Sequence, residues 1–337
     1  MTFLPFLHAV SAGRDLSADE ARGAMEMILA GTVSSSQMGG FLVALHMKGE
    51  TVDELTGFAR AMREVAVAIH PGLNGEPLID TCGTGGDGLA TFNISTVAAF
   101  VVAGAGVHVA KHGNRAMSSR CGSADVLEAL GVSVTLAPEV VGRAIREVGI
   151  GFLFAPAHHS AMKHVQPVRL DLKMRTFFNL LGPLTNPAGA TAQLVGAPSD
   201  KAAELMAHTL AALGLARGFV VHAADGMDEI STTGATLAFR IENGTVARLT
   251  LQPEDFGVRR AEASHLKGGD KLCNAEIARE VLAGAFGPPR DIVIVNAAAA
   301  LVAAGKAADF REGVRAAEKS IDSGAARGKL EALARFG

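Results

Sequence analysis

The chain has 337 residues, 49% hydrophobic and 19% charged, which suits one large globular domain plus a smaller one and excludes a disordered chain. A net charge of -3 offers no electrostatic attraction for nucleic acid or an anionic membrane, so any highly anionic ligand must be held by local groups. Cys82, Cys121 and Cys273 are odd in number and lack metal-ligand spacing, which argues for a reducing cytoplasm and against structural zinc. The sequence MTFLPFLHAV has no basic leader, and no apolar run is long enough to span a membrane. With no Trp and no Tyr, an aromatic ligand has to be held by Phe, Pro, peptide faces and cations.

Residues 1–70 read as a helical module. Ser17–Glu20 and Thr51–Glu54 both have capping-box spacing, and the helix between them carries Met38, Phe41, Leu42 and Leu45 on a broad apolar face. That face can pack within the module or against a second copy of the chain. His8 and His46 read as structural, and 71–75 as a linker.

The stretch 80–130 carries the chemistry. Gly83, Gly85, Gly86 and Gly88 follow an apolar segment that ends at Ile79, and glycines let backbone N–H groups turn toward an anion at close range. Asn93, Ser95 and Thr96 stand where a helix begins, with side-chain oxygens able to cap it and N–H groups that favour negative charge. The pattern recurs: Lys111 and His112 close an apolar run, and Ser118, Ser119, Ser123 and Asp125 open the next helix. Two strand-loop-helix units imply a ligand with two phosphate-bearing ends. The glycines also satisfy G-x-G-x-x-G, but TFNIST separates them from the helix, and His108 and Lys111 occupy the region where a dinucleotide fold places its acidic residue.

Downstream, GFLFAPAHHS reads as a buried strand leading into a loop with His158 and His159, of which one at most faces a ligand. Residues 167–181 read as one helix, with Arg169 and Lys173 four apart on one face, as are Asp171 and Arg175, so that part of this charge is an ordinary solvated or paired surface. Gly182 and Pro183 then form a flat apolar wall. Strands and helices alternate over the remainder, as in a parallel sheet with crossover helices. Asp228 and Glu229, just past a strand, are suited to Mg²⁺, which binds through one or two carboxylates plus substrate phosphates. A hairpin turns at Asn243-Gly244, and the tail is helical from Asn274, through an alanine run at 297–300.

GTGGDG, TFNIST, AKHGNR, SSRCGSADVLEALG, RTFFNLLGPLTNPA and DGMDEIS, in this order, resemble the motifs of the anthranilate phosphoribosyltransferase family, of the nucleoside phosphorylase type II fold. The resemblance implies a small all-helical N-terminal domain (1–70, joined by a helical segment at about 163–185) and a large α/β domain (75–160 and 188–337) with a mainly parallel central sheet flanked by helices. It implies transfer of the phosphoribosyl group of phosphoribosyl pyrophosphate (PRPP) to the amine of anthranilate, with Mg²⁺, in tryptophan biosynthesis, by a cytoplasmic homodimer paired through the helical domain. The PRPP site it implies is Gly83, Gly85, Gly86, Asp87, Thr91, Asn93, Ser95, Thr96, Lys111 and Ser119. For anthranilate it implies Gly83, His112, Asn114, Ala155, Pro156, His159, Arg169, Gly182 and Pro183, and for the metal Ser95, Asp228 and Glu229. Two positions depart from the family pattern: Ser160 replaces the usual proline after the second histidine, and Lys173 a usual glycine. A pyrimidine-type nucleoside phosphorylase shares similar phosphate loops, but KHGNR and FNLLGPLTNPA favour the transferase. A divergent relative that binds a phosphorylated sugar as a regulator is the third reading.

Overall fold

The computed structural model describes residues 2–85, 88–116 and 120–336, so Gly86, Asp87, Ser118 and Ser119 lie outside the described residues. Four helices come first: α1 (Leu4–Ser11), α2 (Ala18–Leu29), α3 (Ser35–Lys48) and α4 (Val52–Val65). Both capping boxes form, Ser17 with Glu20 and Thr51 with Glu54. Glu54 is also fully buried, where its carboxylate accepts from Leu16 N and from Lys48 Nζ and so ties three helix ends together. Met38, Phe41, Leu42 and Leu45 are all buried within this one chain.

The chain continues through β1 (Leu78–Gly83), α5 (Ile94–Gly104), β2 (His108–Gly113), α6 (Ser123–Ala129), α7 (Pro138–Glu147) and β3 (Ile150–Phe154). It then turns through α8 (Ala155–His158), α9 (Gln166–Leu172) and α10 (Phe178–Leu184) before β4 (Ala192–Gly196), α11 (Asp200–Ala212), β5 (Arg217–Ala223), β6 (Thr236–Glu242) and β7 (Thr245–Leu251). Helices α12 (Pro253–Phe256), α13 (Lys271–Leu282), α14 (Pro288–Ala303), α15 (Phe310–Asp322) and α16 (Ala325–Ala334) close it.

The seven strands lie in the order β3-β2-β1-β4-β5-β6-β7. The first five pair in parallel, and β6 and β7 add an antiparallel hairpin at the edge, turning at Asn243 and Gly244 with positive φ of 49° and 80°. Parallel strands are covered on both faces, and β5 alternates accordingly: Phe219 and Val221 join the core beneath α5 and α14, while Val220 joins the core beneath α4 and α11. From β1 the chain runs outward to β2 and β3 and then returns to β4 on the other side of β1. The crevice beyond the carboxyl ends of β1 and β4 is therefore the switch point where such sheets bind ligands.

Residues 167–181 do not form one helix. Lys173 ends α9 in the left-handed region at φ 48°, ψ 34°, and α10 begins at Phe178 and contains Pro183. A left-handed cap is where glycine fits without strain, and a lysine there costs about 1 kcal/mol. Phenylalanine rings join the two helical segments: Phe3 meets Phe41 at 5.1 Å, Phe41 meets Phe58 at 6.2 Å, Phe58 stacks on Phe177 at 4.3 Å and Phe177 on Phe178 at 4.4 Å. Among the described residues, no helix is long and apolar enough to cross a membrane.

Candidate active site

Gly83 and Gly196 pair at the ends of β1 and β4, and the loop after β5 lies directly on them. A Cβ at Gly196 would stand 1.6 Å from the Asp228 carbonyl oxygen, and one at Gly83 2.6 Å from Asp228 Oδ2. Only glycines let the acidic loop approach this closely. The approach carries both carboxylates onto the phosphate loops: Asp228 Oδ2 accepts from Gly85 N at 2.8 Å and Glu229 Oε1 from Ser95 N at 3.1 Å.

Asn93 stands at the N-cap of α5, but its side chain does not cap the helix as the sequence suggests. Its amide is engaged sideways, Nδ2 donating to Cys121 O at 3.2 Å and Oδ1 accepting from Asn274 Nδ2 at 3.0 Å. The first-turn N–H of Ser95 is met by Glu229, 134 residues away. Thr96 is buried in the same turn, and Thr91 bridges to Lys267. Lys111 is buried, with Nζ donating to Thr81 O at 2.5 Å and standing 3.5 Å from Ser95 Oγ. Arg175, read as surface charge, reaches Gly85 O at 3.5 Å. Among the described residues no group of three or more His, Cys, Asp or Glu side chains that could hold a metal is formed; the two carboxylates of one loop stand beside the glycine loop after β1 and the N-terminus of α5. That donor set fits Mg²⁺ shared with a phosphorylated ligand.

Lys111 and His112 are consecutive on β2 and so point to opposite faces of the sheet. His112 N donates to Asp80 Oδ1 at 3.1 Å, and Asn186 Nδ2 holds Asp80 Oδ2 at 2.8 Å. The His112 ring places Nδ1 3.2 Å from Gly182 O. A carbonyl only accepts, so Nδ1 carries the proton and Nε2 is an acceptor. The His159 ring lies 5.3 Å away, whereas His158 turns aside to Val67 O at 3.1 Å. Nε2 of His112 is buried with no hydrogen-bond partner among the described residues, and the buried His159 ring has only the Thr185 backbone near it, outside good hydrogen-bond geometry. Such orphaned atoms point to a polar ligand.

Four residues before Gly182, Phe178 carries the Arg169 guanidinium 5.6 Å above its ring. Arg169 thus contacts α10 at Phe178, and His112 contacts it about one turn further on at the Gly182 carbonyl. Burial alone lowers the Arg169 pKa, with no carboxylate opposing it. A Cβ on Gly182 meets nothing within 4 Å, leaving open space beside this wall. Ala155 and Pro156 form the first turn of α8. Asn114 holds the second loop: its carbonyl accepts from Ala124 N at 3.2 Å and its Oδ1 from Arg115 N at 2.8 Å.

Burial lowers His112 to a pKa of about 3 and His159 to about 4, so both are neutral near pH 7. Unfolding restores ordinary values near 6.5, so the unfolded chain binds more protons as the pH falls below about 6.5. Stability therefore decreases with falling pH in that window. We expect roughly 2 kcal/mol per histidine to be lost between about pH 7 and about pH 5. Denaturant titrations of wild type and His112→Gln/His159→Gln at both pH values check this: a double variant with the wild-type pH slope would show that these rings are not the cause.

The helical bundle and the α/β domain match two family models: the glycosyl transferase family a/b domain over residues 75–327 and the glycosyl transferase family helical bundle domain over residues 4–66. The chain is thus a glycosyl transferase of this two-part class. An anthranilate phosphoribosyltransferase of Solibacter usitatus (strain Ellin6076) is 66% identical over 336 residues, which cover 100% of this chain and 99% of that one. The crystal structure of the anthranilate phosphoribosyltransferase of Thermus thermophilus superposes with a TM-score of 0.92 at 47% identity, over 98% of each chain. That of Saccharomyces cerevisiae in complex with PRPP and Mg gives 0.90 at 28% identity over 99% of this chain and 97% of that one. The chain belongs to the anthranilate phosphoribosyltransferase family.

Asp80, Asn186, Asn274 and Asn296 are absent from the sequence reading of the site. Each is a buried polar residue bonded to a site backbone or side chain far away in sequence. A signal existed for Asn296, the one polar residue in the apolar run IVIVNAAAALVA.

Proposed function

We propose that the protein transfers the phosphoribosyl group of PRPP to the amine of anthranilate and releases pyrophosphate, as a step of tryptophan biosynthesis. The observation that carries this reading is the pair Lys111-His112, which sends a buried lysine toward Thr81 and Ser95 on one face of β2 and a buried histidine to the Gly182 carbonyl of α10 on the other. On the first side, Gly83, Gly85, Thr91, Asn93, Ser95, Thr96 and Lys111 bind PRPP, and Gly86, Asp87 and Ser119 are assigned with them from the sequence. Asp228 and Glu229, with Ser95, hold Mg²⁺, which when bound neutralises the departing pyrophosphate. On the second side, the Arg169 fork takes the anthranilate carboxylate, with Gly83, Asn114, Ala155-Pro156 and Gly182-Pro183 lining the ring. His112 Nε2, an acceptor, and His159 orient the amine so that its lone pair faces the anomeric carbon.

The C–N bond forms as the bond from the anomeric carbon to pyrophosphate breaks, and the proton the amine loses passes to solvent. A neutral aromatic amine is already nucleophilic, so position and electrostatics suffice and no covalent protein intermediate is needed. A complex of the yeast relative with 4-fluoroanthranilate, TM-score 0.86 at 27% identity over 99% of this chain and 98% of that one, supports the aromatic half. The reading divides the chain into 1–70 with 163–185 and 75–160 with 188–337, and places it in the cytoplasm. It also takes the protein as a homodimer through the helical module, where α1, α3 and α9 pack together and expose Leu4, Met47 and Leu170.

Mixing protein with anthranilate, PRPP and Mg²⁺ and following anthranilate fluorescence tests the reaction. With no Trp or Tyr in the chain, the protein contributes almost no background. Decay that needs all three components supports the proposal; no decay despite PRPP binding would show that the aromatic acceptor is wrong.

A further inference from the structure

Helix α14 is buried along nearly its whole length, and Asn296 is its one polar side chain past the first turn. Helix packing needs no amide there, and burying one is costly unless it is fully paired. Its pairing is specific. Oδ1 accepts from Ile230 N at 2.9 Å, and Nδ2 donates to Ile230 O and to Ile292 O, both at 2.9 Å. The amide thus clamps both backbone groups of the residue that follows Glu229.

The other end of the loop is tied to itself: Asp225 accepts from Met227 N at 3.1 Å, from Ser231 Oγ at 2.8 Å and from Thr233 Oγ1. Asn296 ties the loop to a separate helix. That helix packs along α5, whose Ser95 N–H meets the Glu229 carboxylate. The run of alanines after Asn296 lies fully buried in the same core as α5, with no long side chain to hold the helices apart. One helix therefore references both the acidic loop and the helix end that faces it.

We infer that Asn296 is a positioning residue for the Asp228-Glu229 loop, setting those carboxylates against the N-terminus of α5 for cation binding. This rests on the proposed role of Asp228 and Glu229 as metal ligands.

Mn²⁺ serves as a spectroscopic probe, with its binding followed by electron paramagnetic resonance in the presence of pyrophosphate, alongside thermal melts and KM values for both substrates. Asn296→Ala should weaken Mn²⁺ binding about 10- to 100-fold and raise the KM for PRPP while sparing that for anthranilate. Asn296→Ser, whose hydroxyl can bond Ile292 O but is too short to hold both groups of Ile230, should do the same with a milder loss of stability. It decides the matter if the alanine variant does not fold. Leu301→Ala, a buried truncation on the same helix, should lower the melting temperature and leave Mn²⁺ affinity unchanged. Wild-type Mn²⁺ affinity in Asn296→Ser, or an equal loss in Leu301→Ala, would overturn the inference. Asp228→Asn/Glu229→Gln separates the two levels: if that variant keeps full Mn²⁺ affinity, the metal-ligand reading itself is wrong, and if it loses affinity while the Asn296 variants do not, only the positioning role falls.

Discussion

Asp228→Asn combined with Glu229→Gln is expected to lower kcat/KM by about a hundred- to a thousandfold while leaving the fold in place. The amide oxygens of the new side chains can still accept from Gly85 N and Ser95 N, so these two contacts survive. What is lost is the pair of negative charges that, in the proposed function, would hold the Mg²⁺ that offsets the charge of pyrophosphate. The deficit should appear as a higher Mg²⁺ requirement in a metal titration at fixed PRPP. Undiminished rates across that titration would remove both residues from the site.

Arg169→Ala should act on one substrate only, raising the KM for anthranilate about 10- to 100-fold and that for PRPP hardly at all. The guanidinium rests on Phe178, on the α10 side of β2, and no carboxylate opposes the lowering of its pKa by burial. In the proposed function its partner is the anthranilate carboxylate. Arg169→Lys keeps the charge but loses the planar fork and should fall between wild type and alanine. Equal effects on the two KM values in steady-state kinetics would contradict this assignment.

What could be read from residue order was local. Ser17 with Glu20 and Thr51 with Glu54 cap their helices as their spacing implies, because each bond closes within one turn. The same holds for the Asn243-Gly244 hairpin and for the alternation that yields the parallel sheet. The departure at Lys173 was visible too, yet its effect on the chain, a left-handed residue that splits one helix into two, depends on backbone angles that side-chain pattern does not encode. Asn93 shows the limit most clearly. Its type and place suit a helix cap, but competition from Cys121 O and Asn274, partners distant in sequence, takes its amide instead. Nothing local marks Glu229 as what meets the first turn of α5. Residue type reports which bonds a side chain can make, while the crossover topology decides which it does make.

The phenylalanine rings running from Phe3 to Phe178 give the N-terminal helix a weight that its position at one end of the chain hides. The Phe3 ring at its N-cap braces the next, and the last in the row is the platform for Arg169. Removing Phe3 would therefore unseat a foundation stone rather than trim an appendage, with the disturbance carried along the rings to Phe178 beneath Arg169.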